Sequence, residues 1–203
     1  MMVLGLTGPT GAGKGKVSEV FYTLYGIPSI DTDRVYHDLL VPPSACLDEL
    51  VSAFGSEILN ADGSLNRPIL SKIVFSDASR EKQTRLNHIT HKYVLSRTAE
   101  ILEAYRLENI PAALVDAPLL YESGFDEKCD KVIAVLAPLE MRRTRIISRD
   151  HLSEERATAR LNMQKSDDFY TSRADYIIVN DGDPSALVER VSQIVAVLGV
   201  IKA

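Results

Sequence analysis

Short apolar segments alternate with longer amphipathic segments along this chain of 203 residues. The apolar segments are rich in Val, Ile, Leu and Ala, which is typical of strands buried in a parallel sheet. They predict strands at 3–6, 28–31, 112–116, 131–136 and 175–179. Because helical segments separate these strands, the pattern predicts an α/β fold in which a five-stranded parallel sheet is flanked by helices.

The amphipathic segments carry apolar residues at helical spacing, as Val17, Val20, Phe21 and Leu24 do at i, i+3, i+4 and i+7. They predict helices at 17–25, 45–54, 66–75, 81–107, 138–149, 153–163 and 186–198. The stretch between the second and third strands is mostly helical, which indicates a helical insertion in the sheet. We expect the long helix at 81–107 to break near His91.

Composition narrows the class of protein. A length of 203 residues predicts one compact unit with inserted subdomains, and a hydrophobic content of 45% with a charged content of 25% is ordinary for a globular protein. The net charge of −5 gives no general attraction for nucleic acid or membrane, so an anionic ligand must meet local clusters of Lys and Arg. Cys46 and Cys129 lack metal-ligand spacing and are expected to be reduced thiols.

We see no signal peptide and no apolar run of transmembrane length. We therefore expect a cytoplasmic protein with no nucleic-acid or membrane partner, acting as a monomer or weak oligomer.

A glycine-rich segment follows the first predicted strand and precedes the first predicted helix. Gly8, Gly13 and Lys14 match the phosphate-loop pattern G-x-x-x-x-G-K. Glycines let the backbone approach phosphate oxygens, and the loop N–H groups and helix N-terminus supply positive potential. The expected nucleotide contacts are Thr10, Gly11, Ala12, Gly13, Lys14, Gly15 and Lys16.

The position after Lys14 departs from the pattern. A Ser or Thr there would place a hydroxyl on Mg²⁺, but this chain has Gly15 followed by Lys16. Two interpretations of Lys16 stay open: a second cation at the α- or β-phosphate, or an exposed lysine that points away. The missing hydroxyl also leaves open a nucleotide-binding sensor that has lost catalysis.

Three carboxylates lie at or just after predicted strand ends: Asp31, Asp33 and Asp116. Ligands of open α/β sheets bind at the carboxyl ends of the strands, so we expect these side chains near the phosphate loop. Phosphoryl transfer to a hydroxyl needs a proton acceptor and help in holding Mg²⁺. Asp33 is the first candidate for the base, and Asp31 and Asp116 are candidates for metal or water. Capping of a helix that begins near Thr32 is an equal alternative for Asp31.

Arginines are concentrated in the two helices predicted at 138–149 and 153–163. Arg142, Arg145 and Arg149 share one helical face, and Arg156 and Arg160 form an i, i+4 pair. Arginines that close over a transferred phosphate stabilise the charge on its oxygens. We assign that role to Arg149 and interpret most of the others as a solvated basic face.

Several blocks of the sequence, in order, resemble the dephospho-coenzyme A kinase family. The most specific are Asp116-Ala117-Pro118-Leu119-Leu120-Tyr121-Glu122 and a lid pattern of Arg149-Asp150, Ser153-Glu154-Glu155, Arg160-Leu161 and Gln164. The other blocks are the loop at 6–14, the strand at 26–33, the segments 54–55 and 62–67, and the last strand with its following loop at 174–182.

The resemblance runs from about Val3 to Val191 and implies an activity. That activity is ATP-dependent phosphorylation of the ribose 3′-hydroxyl of dephospho-CoA, giving CoA and ADP, the last step of coenzyme A synthesis, with Mg²⁺ as cofactor. It also implies three parts. They are a nucleotide-binding core at 1–33, 111–138 and 166–203, a helical CoA-substrate domain at 34–110, and a lid at 139–165.

The resemblance implies roles for single residues as well. Asp33 corresponds to the family's proposed base, Arg149 to its lid arginine, and Lys14 to its loop lysine. Asn180 joins the cofactor contacts, and the substrate contacts are Asp33, His91, Asp116 and Leu119. One departure is His91-Lys92, where the family usually has His-Pro; loss of the proline relaxes a helix break.

Two alternatives remain beside a dephospho-CoA kinase. One is another P-loop kinase that acts on a nucleoside, nucleotide or small metabolite, and the other is the sensor without catalysis. The presence of Lys14, Asp33, Asp116 and Arg149 together argues against the sensor.

Overall fold

The computed structural model describes residues 1–76 and 80–200. Contacts divide the chain into two compact units, Met1–Ile30 with Glu103–Ala203, and Asp31–Leu102. The strands are β1 (Met2–Thr7), β2 (Ser29–Asp31), β3 (Ala112–Asp116), β4 (Lys131–Leu136) and β5 (Tyr176–Val179). The helices are α1 (Lys14–Tyr25), α2 (Thr32–Asp38), α3 (Ala45–Phe54), α4 (Arg67–Phe75), α5 (Glu81–Leu107), α6 (Leu139–Asp150), α7 (Glu154–Asn162), α8 (Asp167–Thr171) and α9 (Pro184–Leu198).

The first unit is organised around the five-stranded sheet, in which the strand order is β2-β3-β1-β4-β5. β1 pairs in parallel with β3 and β4, and β4 pairs in parallel with β5. The predicted α/β fold with a five-stranded parallel sheet is confirmed. Since β1 is the central strand, the segment that follows Thr7 emerges at the middle of the sheet's carboxyl edge.

Two helices, α1 and α9, pack against the sheet and form the main core of the first unit. Val17 and Phe21 of α1 and Val191 of α9 are fully buried with strand residues such as Leu4 and Ile133. Strands covered by helices need apolar side chains on both faces, which explains why their sequences are nearly continuous apolar runs.

The pair α6 and α7 has a small core of its own, formed by Ile146, Ala157 and Leu161. The short helix α8 contributes Tyr170, which packs on Ala134 of β4. No helix was predicted at α8, because five residues that include two aspartates show no helical periodicity.

The second unit is helical and has a separate core. Cys46, Leu50 and Phe54 of α3 pack with Leu70 of α4 and Ile89 of α5. Burial raises the pKa of the Cys46 thiol to about 11, so this side chain is a neutral packing group.

The predicted break of the long helix near His91 is wrong, because α5 continues from Glu81 to Leu107. Lys92, unlike a proline, supplies the backbone N–H that a helix interior requires. Its side chain also joins α5 to α3: Lys92 Nζ lies 2.6 Å from Glu49 Oε2, and the Tyr93 hydroxyl donates to the same oxygen at 2.7 Å. Among the helices of the described residues, none combines the length and apolar character needed to cross a membrane.

Candidate active site

The glycine-rich loop connects the central strand β1 to α1. Gly11 has φ of 78°, and a Cβ atom there would lie 2.8 Å from the carbonyl oxygen of Arg142. Gly13 has φ of 97°, and a Cβ atom there would lie 2.0 Å from Asn180 Nδ2. Glycine alone fits both positions without strain, so the loop follows its tight path because these two side chains are absent.

Three successive loop carbonyls are held by side chains from the rest of the first unit. Arg142 Nε donates to the Thr10 oxygen at 3.1 Å, and Asn180 Nδ2 donates to the Ala12 oxygen at 2.8 Å. Arg145 Nη1 donates to the carbonyl oxygens of Gly11 and Ala12 at 3.1 and 3.2 Å.

This arrangement determines where the loop N–H groups point. In a trans peptide the N–H lies opposite the C=O, so the bound carbonyls of Thr10 and Ala12 place the N–H groups of Gly11 and Gly13 on the other side of the loop. The Ala12 N–H donates within the loop, to the Pro9 carbonyl oxygen at 3.2 Å. The first N–H groups of α1 also lack partners within the helix. Together these donors form a concave site for an anion, such as the phosphates of a nucleotide.

The two loop lysines differ in their surroundings. Lys14 is partly buried, and its Nζ donates to the Gly8 carbonyl oxygen at 3.2 Å within the loop. Lys16 lies on an exposed face of α1 and pairs with Glu19 at 2.6 Å. That position matches the interpretation of Lys16 as an exposed lysine.

Asp116 ends β3 beside the loop. It lies opposite Leu6 of β1 in the sheet, two positions before Gly8, and the N–H of Ala117 donates to the Leu6 oxygen at 3.0 Å. Thr7, the last residue of β1, has a buried hydroxyl oxygen. In the part of the chain that the structure describes, this oxygen has no hydrogen-bond partner. Leu119, a predicted substrate contact, is 52% exposed.

The lid arginine takes part in a group of charges that joins α6 to α7. Arg149 donates to both carboxylate oxygens of Asp150 at 2.7 and 2.9 Å, and Arg160 of α7 donates to Asp150 Oδ2 at 2.6 Å. The hydrogen bonds from Arg149 and the charge of Arg160 hold the pKa of Asp150 below its usual range. Arg149 keeps 60% of its side chain exposed, so its guanidinium is accessible to a ligand.

Asp31 and Asp33 lie at the start of the second unit. Asp31 Oδ1 accepts hydrogen bonds from the N–H groups of Asp33 and Arg34 at 2.9 and 3.1 Å, so the capping interpretation of Asp31 is confirmed. Asp33 occupies the first turn of α2 and is exposed. His91 is half-buried in the middle of α5, where burial lowers its pKa and favours the neutral ring.

The structure corrects the interpretation of Arg142 and Arg145 as a solvated basic face. Arg142 is 5% exposed, and both side chains bind loop carbonyls. Gln164 was part of the lid pattern, but no contact was predicted for it; its Oε1 accepts from the Thr10 N–H at 3.1 Å. The shared helical face of the two arginines was visible, but nothing local indicated that this face meets a loop more than 130 residues away.

A metal cage made by the protein is not present in the described residues, which contain no cluster of three or more His, Cys, Asp or Glu side chains that could hold a metal ion.

A phosphate loop after the central strand of a parallel sheet, with arginine-bearing helices bound to its outer side, is the arrangement of the P-loop kinases. Within that class, a family model described as dephospho-CoA kinase matches residues 2–185. The chain belongs to the dephospho-CoA kinase family, and the resemblance stated from its motifs is confirmed.

Individual relatives agree with this assignment. A dephospho-CoA kinase of Symbiobacterium thermophilum is 40% identical over 182 residues, which cover 90% of this chain and 75% of that protein. A structure of dephospho-CoA kinase from Campylobacter jejuni shares 29% identity with a TM-score of 0.70, covering 97% of this chain and 96% of that one. A Thermus thermophilus crystal structure matches with a TM-score of 0.79 and 29% identity over 100% of this chain and 98% of its own.

Proposed function

We propose that this chain transfers the γ-phosphoryl group of ATP to the ribose 3′-hydroxyl of dephospho-CoA, giving CoA and ADP in coenzyme A biosynthesis. The observation that carries the proposal is the family match over residues 2–185, which includes the loop, the carboxylates and the lid segment. Another P-loop kinase activity and a sensor without catalysis are not favoured by that match.

The nucleotide side of the reaction uses the first unit. The loop N–H groups and Lys14 bind the β- and γ-phosphates, because the outward carbonyls leave the donors facing the ligand. Arg149 stabilises the negative charge that spreads over the equatorial oxygens of the transferred group. Asn180 supports the nucleotide site through its contact with the Ala12 carbonyl.

The acceptor side uses Asp33 as general base. Its carboxylate takes the proton from the 3′-hydroxyl as that oxygen forms a bond to the γ-phosphorus and the bond to the β–γ bridging oxygen breaks. The bridging oxygen leaves with ADP. The Asp31 cap fixes the backbone of the turn that carries Asp33, which limits the directions its side chain can take.

Mg²⁺ fits this donor set as an ion bound mainly by phosphate and water oxygens, with one or two carboxylates from the protein. Mg²⁺ prefers oxygen ligands and retains several waters, so it needs no cage of protein side chains. Asp116 would hold it directly or through water, while Asp31 has one oxygen committed to its cap. When bound, the ion neutralises charge on the phosphates.

Two further regions of the chain are assigned to substrate binding and to closure of the site. We assign dephospho-CoA binding to 34–110 with His91, and to Leu119, and we assign closure over the phosphates to a lid at 139–165. A neutral His91 would contact the substrate through hydrogen bonds rather than charge. Cytoplasmic location and a monomer or weak oligomer remain predictions from the sequence.

The test is an assay of ADP release with ATP, Mg²⁺ and dephospho-CoA. We expect turnover by the wild type, and a loss of about 10²- to 10⁴-fold in Asp33→Asn, the range for a general base. Asp38→Asn, at the other end of α2, is the matched control and should keep the wild-type rate. AMP in place of dephospho-CoA tests the alternative kinase.

Two results would contradict the proposal. Turnover with AMP but none with dephospho-CoA would assign a different acceptor. Full turnover by Asp33→Asn would remove Asp33 from the role of base while leaving the activity in place.

A further inference from the structure

Two successive peptide groups of the loop, the ones before and after Thr10, are held by side chains of the proposed lid region. Gln164 Oε1 accepts from the Thr10 N–H at 3.1 Å, and Arg142 Nε donates to the Thr10 carbonyl oxygen at 3.1 Å. Arg142 lies in α6 and Gln164 follows α7, so the two side chains come from opposite ends of the helical pair. We call these two contacts the Thr10 clamp.

Arg142 is buried although its side chain is charged. The residue is 5% exposed, and its ion-pair partner Asp167, whose Oδ1 lies 3.5 Å from Arg142 Nη1, is half-exposed. Burial lowers the pKa of Arg142 more than Asp167 raises it, so the charge is placed here at a cost in desolvation. The planar guanidinium of Arg142 binds two partners at this position, the Thr10 carbonyl and the Asp167 carboxylate.

The backbone of α6 is also close to the loop at this point. A Cβ atom on Gly11 would lie 2.8 Å from the Arg142 carbonyl oxygen and 3.0 Å from its Cα. The loop is therefore in van der Waals contact with α6 next to the clamp, and a shift of α6 would move Thr10 with it.

The same helical pair carries the charged group of Arg149, Asp150 and Arg160. Arg149 at the end of α6 and Arg160 in the last turn of α7 both bind Asp150, so this group joins the two helices. Arg142, near the start of α6, and Gln164, just after the end of α7, join the same pair to the loop.

We propose that Arg142 and Gln164 are positioning residues for the phosphate loop. They fix the two peptide groups on either side of Thr10, orient the Gly11 N–H toward the nucleotide and couple the loop to α6 and α7. This inference rests on the proposed function for its ligand, a nucleoside di- or triphosphate, and assigns to these residues no contact with the reacting atoms.

The experiment compares ADP binding in the full-length wild type, Gln164→Met and Gln193→Met, by calorimetric titration in Mg²⁺. Methionine has nearly the shape of glutamine but cannot accept the Thr10 hydrogen bond. Gln193 on α9 donates to Glu189 of its own helix and is a matched control far from the loop in sequence. We expect the ADP dissociation constant to rise about three- to tenfold in Gln164→Met, the effect of one lost hydrogen bond, and to stay unchanged in Gln193→Met.

Kinetic constants distinguish a positioning role from a merely structural one. In Gln164→Met, a positioning role raises KM for ATP. It leaves KM for dephospho-CoA and the melting temperature of the unliganded protein at the control values. Equal ADP affinity in Gln164→Met and Gln193→Met would overturn the proposal. So would a parallel rise of both KM values with a lower melting temperature.

Arg142→Lys provides a second variant that keeps the charge beside Asp167. Lysine has a single ammonium group and lacks the Nε donor, so ADP binding should weaken at least as much as in Gln164→Met. Wild-type ADP affinity in folded Arg142→Lys would contradict the role of Arg142. Because ADP binding is measured directly, an unexpected acceptor for the kinase would overturn the proposed function without changing this result.

Discussion

Gly15 lies where a phosphate loop normally places a hydroxyl on the metal ion. The residue is exposed, its φ is not in the left-handed region, and a Cβ atom added there would meet no atom within 4 Å. The local backbone therefore accepts a serine, so the missing hydroxyl is a property of the sequence and not a demand of the fold.

We predict that Gly15→Ser folds and lowers the Mg²⁺ concentration needed for half-maximal rate. The hydroxyl adds an oxygen ligand beside the phosphates, and serine in place of glycine near the start of α1 should add about 0.5 kcal/mol of stability. A Mg²⁺ titration at fixed ATP measures the first effect and urea unfolding measures the second.

Gly13→Ser is the control for this substitution. Its Cβ atom would lie 2.0 Å from Asn180 Nδ2 at φ of 97°, so nucleotide binding should be lost. An unchanged Mg²⁺ dependence in Gly15→Ser would indicate that phosphates, water and carboxylates already satisfy the ion.

Tyr121 shows a different residue-scale feature, a buried hydroxyl that has no hydrogen-bond partner among the described residues. Burial raises its pKa to about 12, so the hydroxyl is neutral throughout the physiological range. We predict that Tyr121→Phe increases the free energy of unfolding by up to about 1 kcal/mol, because it removes a polar group that the fold does not satisfy.

Tyr25→Phe is the matched comparison, since the Tyr25 hydroxyl donates to Ser192 Oγ at 2.7 Å. Its loss should lower the free energy of unfolding by about 0.5–1.5 kcal/mol. Urea unfolding of both variants at neutral pH measures the difference. A loss of stability in Tyr121→Phe as large as in Tyr25→Phe would show that the Tyr121 hydroxyl is satisfied in solution.

At the scale of elements, the continuity of α5 depends on Lys92. We predict that Lys92→Pro lowers the free energy of unfolding by about 3 kcal/mol or more, because proline removes an interior N–H and clashes with the preceding turn. Loss of helical signal in circular dichroism and a lower midpoint in urea would accompany this change.

Lys92→Ala separates the side chain from the backbone in this experiment. It removes the ion pair with Glu49, in which Lys92 is 53% exposed, so the cost should stay within about 1 kcal/mol. If Lys92→Pro lowers the free energy of unfolding no more than Lys92→Ala does, then α5 tolerates a proline at this position. Its continuity would then not depend on Lys92.

The elements differ in how far sequence could predict them. The strands were predictable because burial on both faces requires unbroken apolar runs, as in Ala112–Asp116. The helix α8 was not, because its position depends on the packing of Tyr170 against β4 and not on periodicity.

The site shows the same limit. The local spacing of Gly8, Gly13 and Lys14 is enough to predict a phosphate loop. The contacts of Thr10 with Arg142 and Gln164 join residues separated by 132 and 154 positions, and no local pattern encodes such pairs.

At the scale of the whole molecule, the chain forms a discontinuous first unit and a helical second unit, Asp31–Leu102, inserted between its parts. The loop, Asp116, Arg149 and Asn180 belong to the first unit, whereas Asp33 and His91 belong to the second. The proposed binding of the two substrates follows this boundary: we expect the nucleotide to bind the first unit and dephospho-CoA chiefly the second.

Hydrogen exchange with each ligand alone tests that division. ADP with Mg²⁺ should slow exchange in the loop at 8–16 and in α6, and dephospho-CoA should slow exchange in α2 to α5. At a ligand concentration of 100 times the dissociation constant, amides that exchange only from the unbound form should slow by about 100-fold. Lys14→Ala should lose the protection by ADP and keep that by dephospho-CoA. If both ligands protected the first unit alone, the assignment of 34–110 to dephospho-CoA binding would be contradicted. The role of Asp33 as base would then lose its support, because dephospho-CoA would not bind the unit that contains Asp33.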